Sequence, residues 1–245
     1  MAESSSFISH FLIEFIGSIY LGIFQNMVRR TPTWFYVFPF LTFAVYSTAY
    51  RITGAHLNPI ISLISMARSD QPERYNRAWM IGYIFAQIFG FLLGCFICWW
   101  FFEEPGELFI GKKAMVDDGW WYSEAIGTET FAALAFALIY LNQTSHITWA
   151  HVDPGMQCFL ISVSYAALVA FTSYRTGGSL NPAYAFGQCL TDQFHDLDET
   201  AFKFIWIYVI FPIIGAFAAL GIHELVAIPG HKATNDFGGV MAKAA

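Results

Sequence analysis

The chain has 245 residues, of which 56% are hydrophobic and 19% aromatic, while only 12% are charged. That balance excludes a water-soluble domain of this size, and with a formal net charge of −6 it gives no reason to expect a nucleic-acid partner. What remains is a polytopic helical membrane protein, with lipid as its surroundings.

The first apolar run, residues 7–27, carries Glu14, Gly17 and Ser18 and is closed by Arg29 and Arg30. No basic residue precedes it, so no cleaved signal peptide is expected. The second run, residues 34–50, ends at Arg51. A short apolar stretch at 58–66 follows, and then a polar loop with Arg68, Asp70, Glu73, Arg74 and Arg77. Residues 79–101 form the third run, and an acidic loop spans 103–118. The fourth run, 120–141, holds Glu124, Gly127, Thr128 and Glu129. The fifth, 155–171, leads to a second short stretch at 181–190 and an acidic loop from Asp192 to Glu199. Residues 202–226 form the sixth run, and a polar tail is expected over 227–245.

The two short stretches are versions of each other. Gly54-Ala55-His56-Leu57-Asn58-Pro59-Ile60 and Gly177-Gly178-Ser179-Leu180-Asn181-Pro182-Ala183 each place Leu-Asn-Pro before an apolar segment. Asparagine caps a helix by accepting from its first free N–H groups, and proline suits the first helical position. About ten helical residues span roughly 15 Å, half of a bilayer core. Each copy is therefore two spans, a half-helix and a third span, over about residues 7–101 and 120–226 of one membrane domain covering 1–245. A three-span unit leaves its successor inverted, so the half-helices enter from opposite faces and their N-termini can meet at mid-depth. Irregular backbone survives there only where protein buries it or water lines it. The expected fold is all-α: six transmembrane helices plus two re-entrant half-helices in an inverted repeat.

These residues resemble the aquaporin, or major intrinsic protein, family across both halves of the chain. Gly54 to Pro59 is similar to its first motif and Leu180 to Ala183, with Phe186 and Gly187, to its second. Glu14 and Glu124 match its glutamates on the first and fourth spans, whereas Glu129 has no counterpart. Tyr83 to Gln87 and Phe211 to Gly215 match its third and sixth spans. The resemblance implies a homotetramer with one pore per subunit, Asn58 and Asn181 at the pore centre, and Glu14, Glu124 and His56 as braces of the loops. It also places the outer constriction at Phe38, Val169, Gly178 and Tyr184.

Three departures set this chain apart. Ile60 replaces an alanine at the half-helix contact, which narrows or shifts it. Tyr184 replaces the arginine of the outer constriction, and Val169 stands where water-selective members carry histidine. The ring is then an uncharged filter for water or small neutral solutes, or Tyr184 plugs it. In the second case the chain is a non-conducting subunit embedded in a larger membrane assembly. A secondary transporter also uses inverted repeats, but no coupling-ion site is evident.

No metal, cofactor or enzymatic triad is expected. The seven histidines lack ligand spacing, and Cys95, Cys98, Cys158 and Cys189 fall within apolar runs where packing explains them. Tryptophans at 34, 79, 99, 100, 120 and 121 suit interfacial anchoring. Basic residues divide evenly between the two faces. Their concentration around the first half-helix places the termini on the cytosolic or equivalent inner side, and makes the Asn142-Gln143-Thr144 sequon a chance match.

Overall fold

The computed structural model of the chain describes residues 2–28, 33–70, 76–103, 108, 121–148, 153–196 and 202–234. Among these residues all regular structure is helical. The helices are α1 (Ala2–Val28), α2 (Trp34–Thr53), α3 (Pro59–Ala67), α4 (Trp79–Phe102), α5 (Trp121–Thr144), α6 (Pro154–Thr176), α7 (Pro182–Asp196) and α8 (Ile205–Ile222). Five of them, α1, α4, α5, α6 and α8, are long and apolar enough to cross a membrane by length and composition. The 20 residues of α2 rise about 30 Å, enough for a sixth crossing, although its tyrosines, threonines and Arg51 make it less apolar. Large side chains such as Phe40, Phe85, Phe101 and Phe171 lie on the outer surface, where a membrane protein meets lipid.

α3 and α7 are the short helices, with 9 and 15 residues. At 1.5 Å per residue they rise about 14 and 23 Å, short of a full crossing. α7 runs past the expected end at 190, to Asp196. An amide–carboxylate bond from Gln188 to Asp192, one turn on at 2.8 Å, supports that extension.

The packing repeats as the sequence does. α1 lies along α4, α5 lies along α8, and α2 and α6 join the halves. Glycines set the closeness of the equivalent crossings. A Cβ at Gly90 would stand 2.5 Å from the Phe15 carbonyl oxygen, and one at Gly94 2.5 Å from that of Ile19. Across the other pair, a Cβ at Gly215 would collide with the Thr130 carbonyl. Such small-residue contacts let membrane helices approach at backbone distance.

The end of α8 departs from expectation. The chain passes through a π turn, His223–Ala227, and stays helical to Thr234, so the first part of the expected polar tail continues α8. Residues 235–245 lie outside the described residues, as do Arg29, Arg30, Arg74, Lys112, Lys113, Trp120 and most of the acidic loop after Glu103. A buried polar cluster anchors the π turn. Arg68, expected in a polar loop, is only 1% exposed. It binds Asp70 bidentately at 2.7 and 2.9 Å and Thr144 at 2.6 Å. His223 Nε2 lies 3.2 Å from Asp70 Oδ2, the oxygen that Arg68 Nη2 also bonds, and its Nδ1 2.9 Å from Asn142 Oδ1. Burial would raise the Asp70 pKa, but hydrogen bonds from His223 and Arg68 and the Arg68 charge outweigh it, holding the carboxyl well below its usual value.

Candidate functional site

The site is built where the chain leaves α2 and α6 and turns into α3 and α7. Both helices end on a left-handed glycine, Gly54 (φ 84°) and Gly177 (φ 83°). The left-handed backbone then recurs at matched positions: Ala55 (49°) with Gly178 (66°), and Leu57 (46°) with Leu180 (51°). Holding a leucine there costs on the order of 1–2 kcal/mol, so a compensating interaction is needed. Asn58 and Asn181 supply it.

Asn58 caps α3 by accepting from Ile60 N at 3.1 Å, and Asn181 caps α7 by accepting from Ala183 N at 3.0 Å. Proline follows in both, at the first helical position. Each amide also crosses to the other copy. Asn58 Nδ2 donates to the Leu180 carbonyl at 2.9 Å, and Asn181 Nδ2 to the Leu57 carbonyl at 2.9 Å. The left-handed leucines present those carbonyls. The positive ends of two half-helices therefore face each other through two asparagines. Each Nδ2 has two hydrogens, so one remains after the crossing bond. Ile60 and Ala183 are both buried in the core at this contact.

Glutamates clamp the loops from behind. Glu14 accepts from His56 N (3.0 Å), Leu57 N (2.7 Å), Gln87 Nε2 (2.8 Å) and the Thr53 hydroxyl. Gln87 also reaches Ser62 (3.1 Å), which pairs with His56 Nδ1 (3.1 Å), while the His56 ring packs on Tyr83 and Tyr140. In the second copy the clamp is Glu129, not Glu124. Glu129 is fully buried and accepts from the Thr176 hydroxyl at 2.5 Å and from Leu180 N at 3.2 Å. Glu124 is 45% exposed and pairs with Arg175. The residues Glu-x-x-Gly occur at both Glu14 and Glu124, which misaligns the copies. Five residues separate Glu124 from Glu129, a rotation of about 140° around the helix, so only one of them can face the loop. Gly17 packs against Leu57, whereas among the described residues nothing lies within 4 Å of a Cβ at Gly127. A better signal was present in the loops themselves. Thr53-Gly54 and Thr176-Gly177 both precede the Leu-Asn-Pro, and both threonines donate to the clamping glutamate.

The expected outer ring is divided. Phe38 and Val169 are fully buried, and the Gly178 carbonyl accepts from Gln25 Nε2 at 2.8 Å. Tyr184 was expected beside them, and its side chain is held by α1 and α4. Its hydroxyl donates to Asn26 Oδ1 of α1 at 2.6 Å, and its ring lies edge-on to Phe91 of α4, 6.0 Å between centroids. Phe91 lies between α1 and α7, close to Gly22 and Gly187. A buried phenol needs a partner for its hydroxyl, and Asn26 supplies one in the seam of α1, α4 and α7. Tyr165, one turn before Val169, reaches Phe38 with centroids 6.5 Å apart, the same separation as Trp34 within α2. Neither Tyr165 nor Gln25 has a matching residue in the other copy, so the repeat could not reveal them.

Comparison with known proteins agrees with this geometry. The sequence profile of the family described as "Major intrinsic protein" matches residues 1–223. The chain is 27% identical over 202 residues to the "Probable aquaporin AqpM" of Archaeoglobus fulgidus, covering 79% of this chain and 77% of the relative. It is 26% identical over 220 residues to the "Glycerol uptake facilitator protein-like 6" of Lactiplantibacillus plantarum, covering 88% and 93%. Its fold matches the crystal structure of the aquaglyceroporin from Plasmodium falciparum with a TM-score of 0.71 at 17% identity, covering 93% of this chain and 99% of that one. The paired Asn-Pro half-helices, the six long helices and the profile match together make the chain an integral, multi-pass member of the major intrinsic protein family.

Proposed function

We propose that the chain is a passive membrane channel for water or small neutral solutes, with an outer constriction that carries no arginine. The observation that carries this reading is the reciprocal Asn58–Asn181 junction. It puts two helix N-termini and two amide donors at one point, an arrangement that accepts a water or hydroxyl oxygen and repels a cation. The names of its relatives, an aquaporin and a glycerol uptake facilitator, fit the same solute class. Phe38, Val169 and Gly178 form the uncharged part of the constriction, and the cation barrier falls to the half-helix dipoles alone. Tyr184 acts here as a brace between α7 and α1. Tyr184→Arg would bury a guanidinium beside Phe91 and should lower stability rather than simply retune selectivity.

The test is stopped-flow light scattering on proteoliposomes under osmotic gradients of sucrose, glycerol and urea. Permeability above that of empty vesicles, with no proton or sodium current, is the expected result. Vesicles indistinguishable from empty ones would support a second reading, a non-conducting subunit of a larger membrane assembly. Full burial of Phe38, Val169 and Tyr165 favours that reading. We also propose a homotetramer with termini on the inner side. Light scattering of the purified protein and protease protection of an N-terminal tag check the two points.

A further inference from the structure

One hydrogen-bonded chain joins α6, α1 and the loop before α7. α1 packs on α2 and α4, and α6 packs on α2 and α5, but α1 and α6 make no extended contact with each other. Between them, nevertheless, the Tyr165 hydroxyl of α6 donates to Gln25 Oε1 of α1 at 3.0 Å. Gln25 Nε2 then donates to the Gly178 carbonyl at 2.8 Å. A phenol, an amide and a loop carbonyl thus link three separate walls. The Tyr165 ring packs against two more walls, with centroids 6.1 Å from Tyr46 of α2 and 5.4 Å from Phe136 of α5. Tyr165, Phe136 and Tyr46 are fully shielded from solvent or nearly so.

A second observation lies beside the first. The Tyr46 hydroxyl is buried and has no hydrogen-bond partner among the described residues. Buried hydroxyls are nearly always paired, and an unpaired one at membrane depth points to an oxygen-bearing guest. The neighbouring Tyr165 bond is between neutral groups, the kind most readily exchanged for a bond to water or to a solute hydroxyl.

We propose that the Tyr165–Gln25 bond is a latch across the solute path, set between the Phe38–Val169 level and the Asn58–Asn181 junction. When it opens, Tyr165, Gln25 and the Tyr46 hydroxyl together form a polar subsite for water or a small hydroxylated solute. This rests on the channel reading given above. Tyr184 donates to Asn26, the residue after Gln25 on α1, and is not part of this chain of bonds.

The test compares water permeability of proteoliposomes holding the wild-type chain, Tyr165→Phe, Gln25→Leu and the double variant. Tyr165→Phe cuts that bond alone, and Gln25→Leu cuts it together with the Gln25 Nε2 bond to the Gly178 carbonyl. Each should raise permeability about three- to tenfold, the shift that loss of one neutral hydrogen bond allows. The double variant should match Gln25→Leu, because adding Tyr165→Phe removes no further bond of the chain. A wild-type chain that conducts and variants that conduct equally would leave the channel standing and overturn the latch. If neither wild type nor variants exceed empty vesicles, the channel reading fails and the latch with it. If both singles fail to give a monodisperse protein, the bond is a structural brace and the latch is likewise overturned.

Discussion

Replacing Glu129 with alanine should destabilise the protein far more than replacing Glu124, although the sequence around Glu124 looks the better match to Glu14. Glu129 is fully buried and accepts from Thr176 at 2.5 Å and from Leu180 N at 3.2 Å. Bonds to a charged acceptor contribute about 1.5–3 kcal/mol each. Their loss also leaves the Leu180 N–H without its acceptor where no water can replace it, so Glu129→Ala should cost about 3–5 kcal/mol. Glu124 is 45% exposed and, among the described residues, pairs with Arg175. Exposed pairs contribute about 0–1 kcal/mol. Glu129→Gln keeps one carbonyl oxygen as acceptor and should fall between the two. The assay is SDS-induced unfolding of detergent-solubilised protein, followed by tryptophan fluorescence. Equal losses for the two alanine variants, or a Glu129→Ala loss under about 1 kcal/mol, would refute the assignment of Glu129 as the clamp of the second loop.

The two asparagines should respond alike. Asn58→Ala and Asn181→Ala each remove a helix cap and one crossing bond, a loss of about 1–3 kcal/mol in the same unfolding assay. Gly215→Val should destabilise by about 1–3 kcal/mol because its side chain meets the Thr130 carbonyl, whereas Gly127→Ala, with open space around it, should be neutral or slightly stabilising. Asp70 gives a pH dependence of known sign. Its folded pKa lies below the unfolded value of about 3.9, so its contribution is fully present above that pH and is lost as pH falls toward the folded value. Unfolding measured from pH 6 down to about pH 3 should therefore show a steeper loss for the wild type than for Asp70→Asn.

Much of this architecture is legible in the chain itself, and for a local reason. A cap, a proline at the first helical turn and a left-handed glycine act within four or five residues. The Asn-Pro copies accordingly identify α3, α7 and the loops before them without knowledge of neighbours. Spans declare themselves by length and composition, because every backbone polar group in lipid must be satisfied within its own helix. The copies then imply inversion, since three spans per unit leave no other course.

Side-chain partners between helices are a different matter. Which of Glu124 and Glu129 reaches the loop depends on the rotation of α5 about its axis, and a five-residue offset reverses the answer. Tyr184 sits at the position expected for the ring, but Asn26, 158 residues away in sequence, draws its hydroxyl into the seam of α1 and α4. Arg68 reads as a loop cation and is instead enclosed by Asp70, Thr144 and the helix turn that carries His223. Tyr165 and Gln25 lie 140 residues apart and follow no repeat, yet they meet across the centre. The sequence by itself determined the helices, their order and the paired asparagine junction, because those follow from short-range backbone chemistry and from lipid as solvent. Only the tertiary structure decided which polar group clamps, braces or bridges, because a buried hydrogen bond is chosen by the few ångströms and the helix rotation that bring two distant residues together.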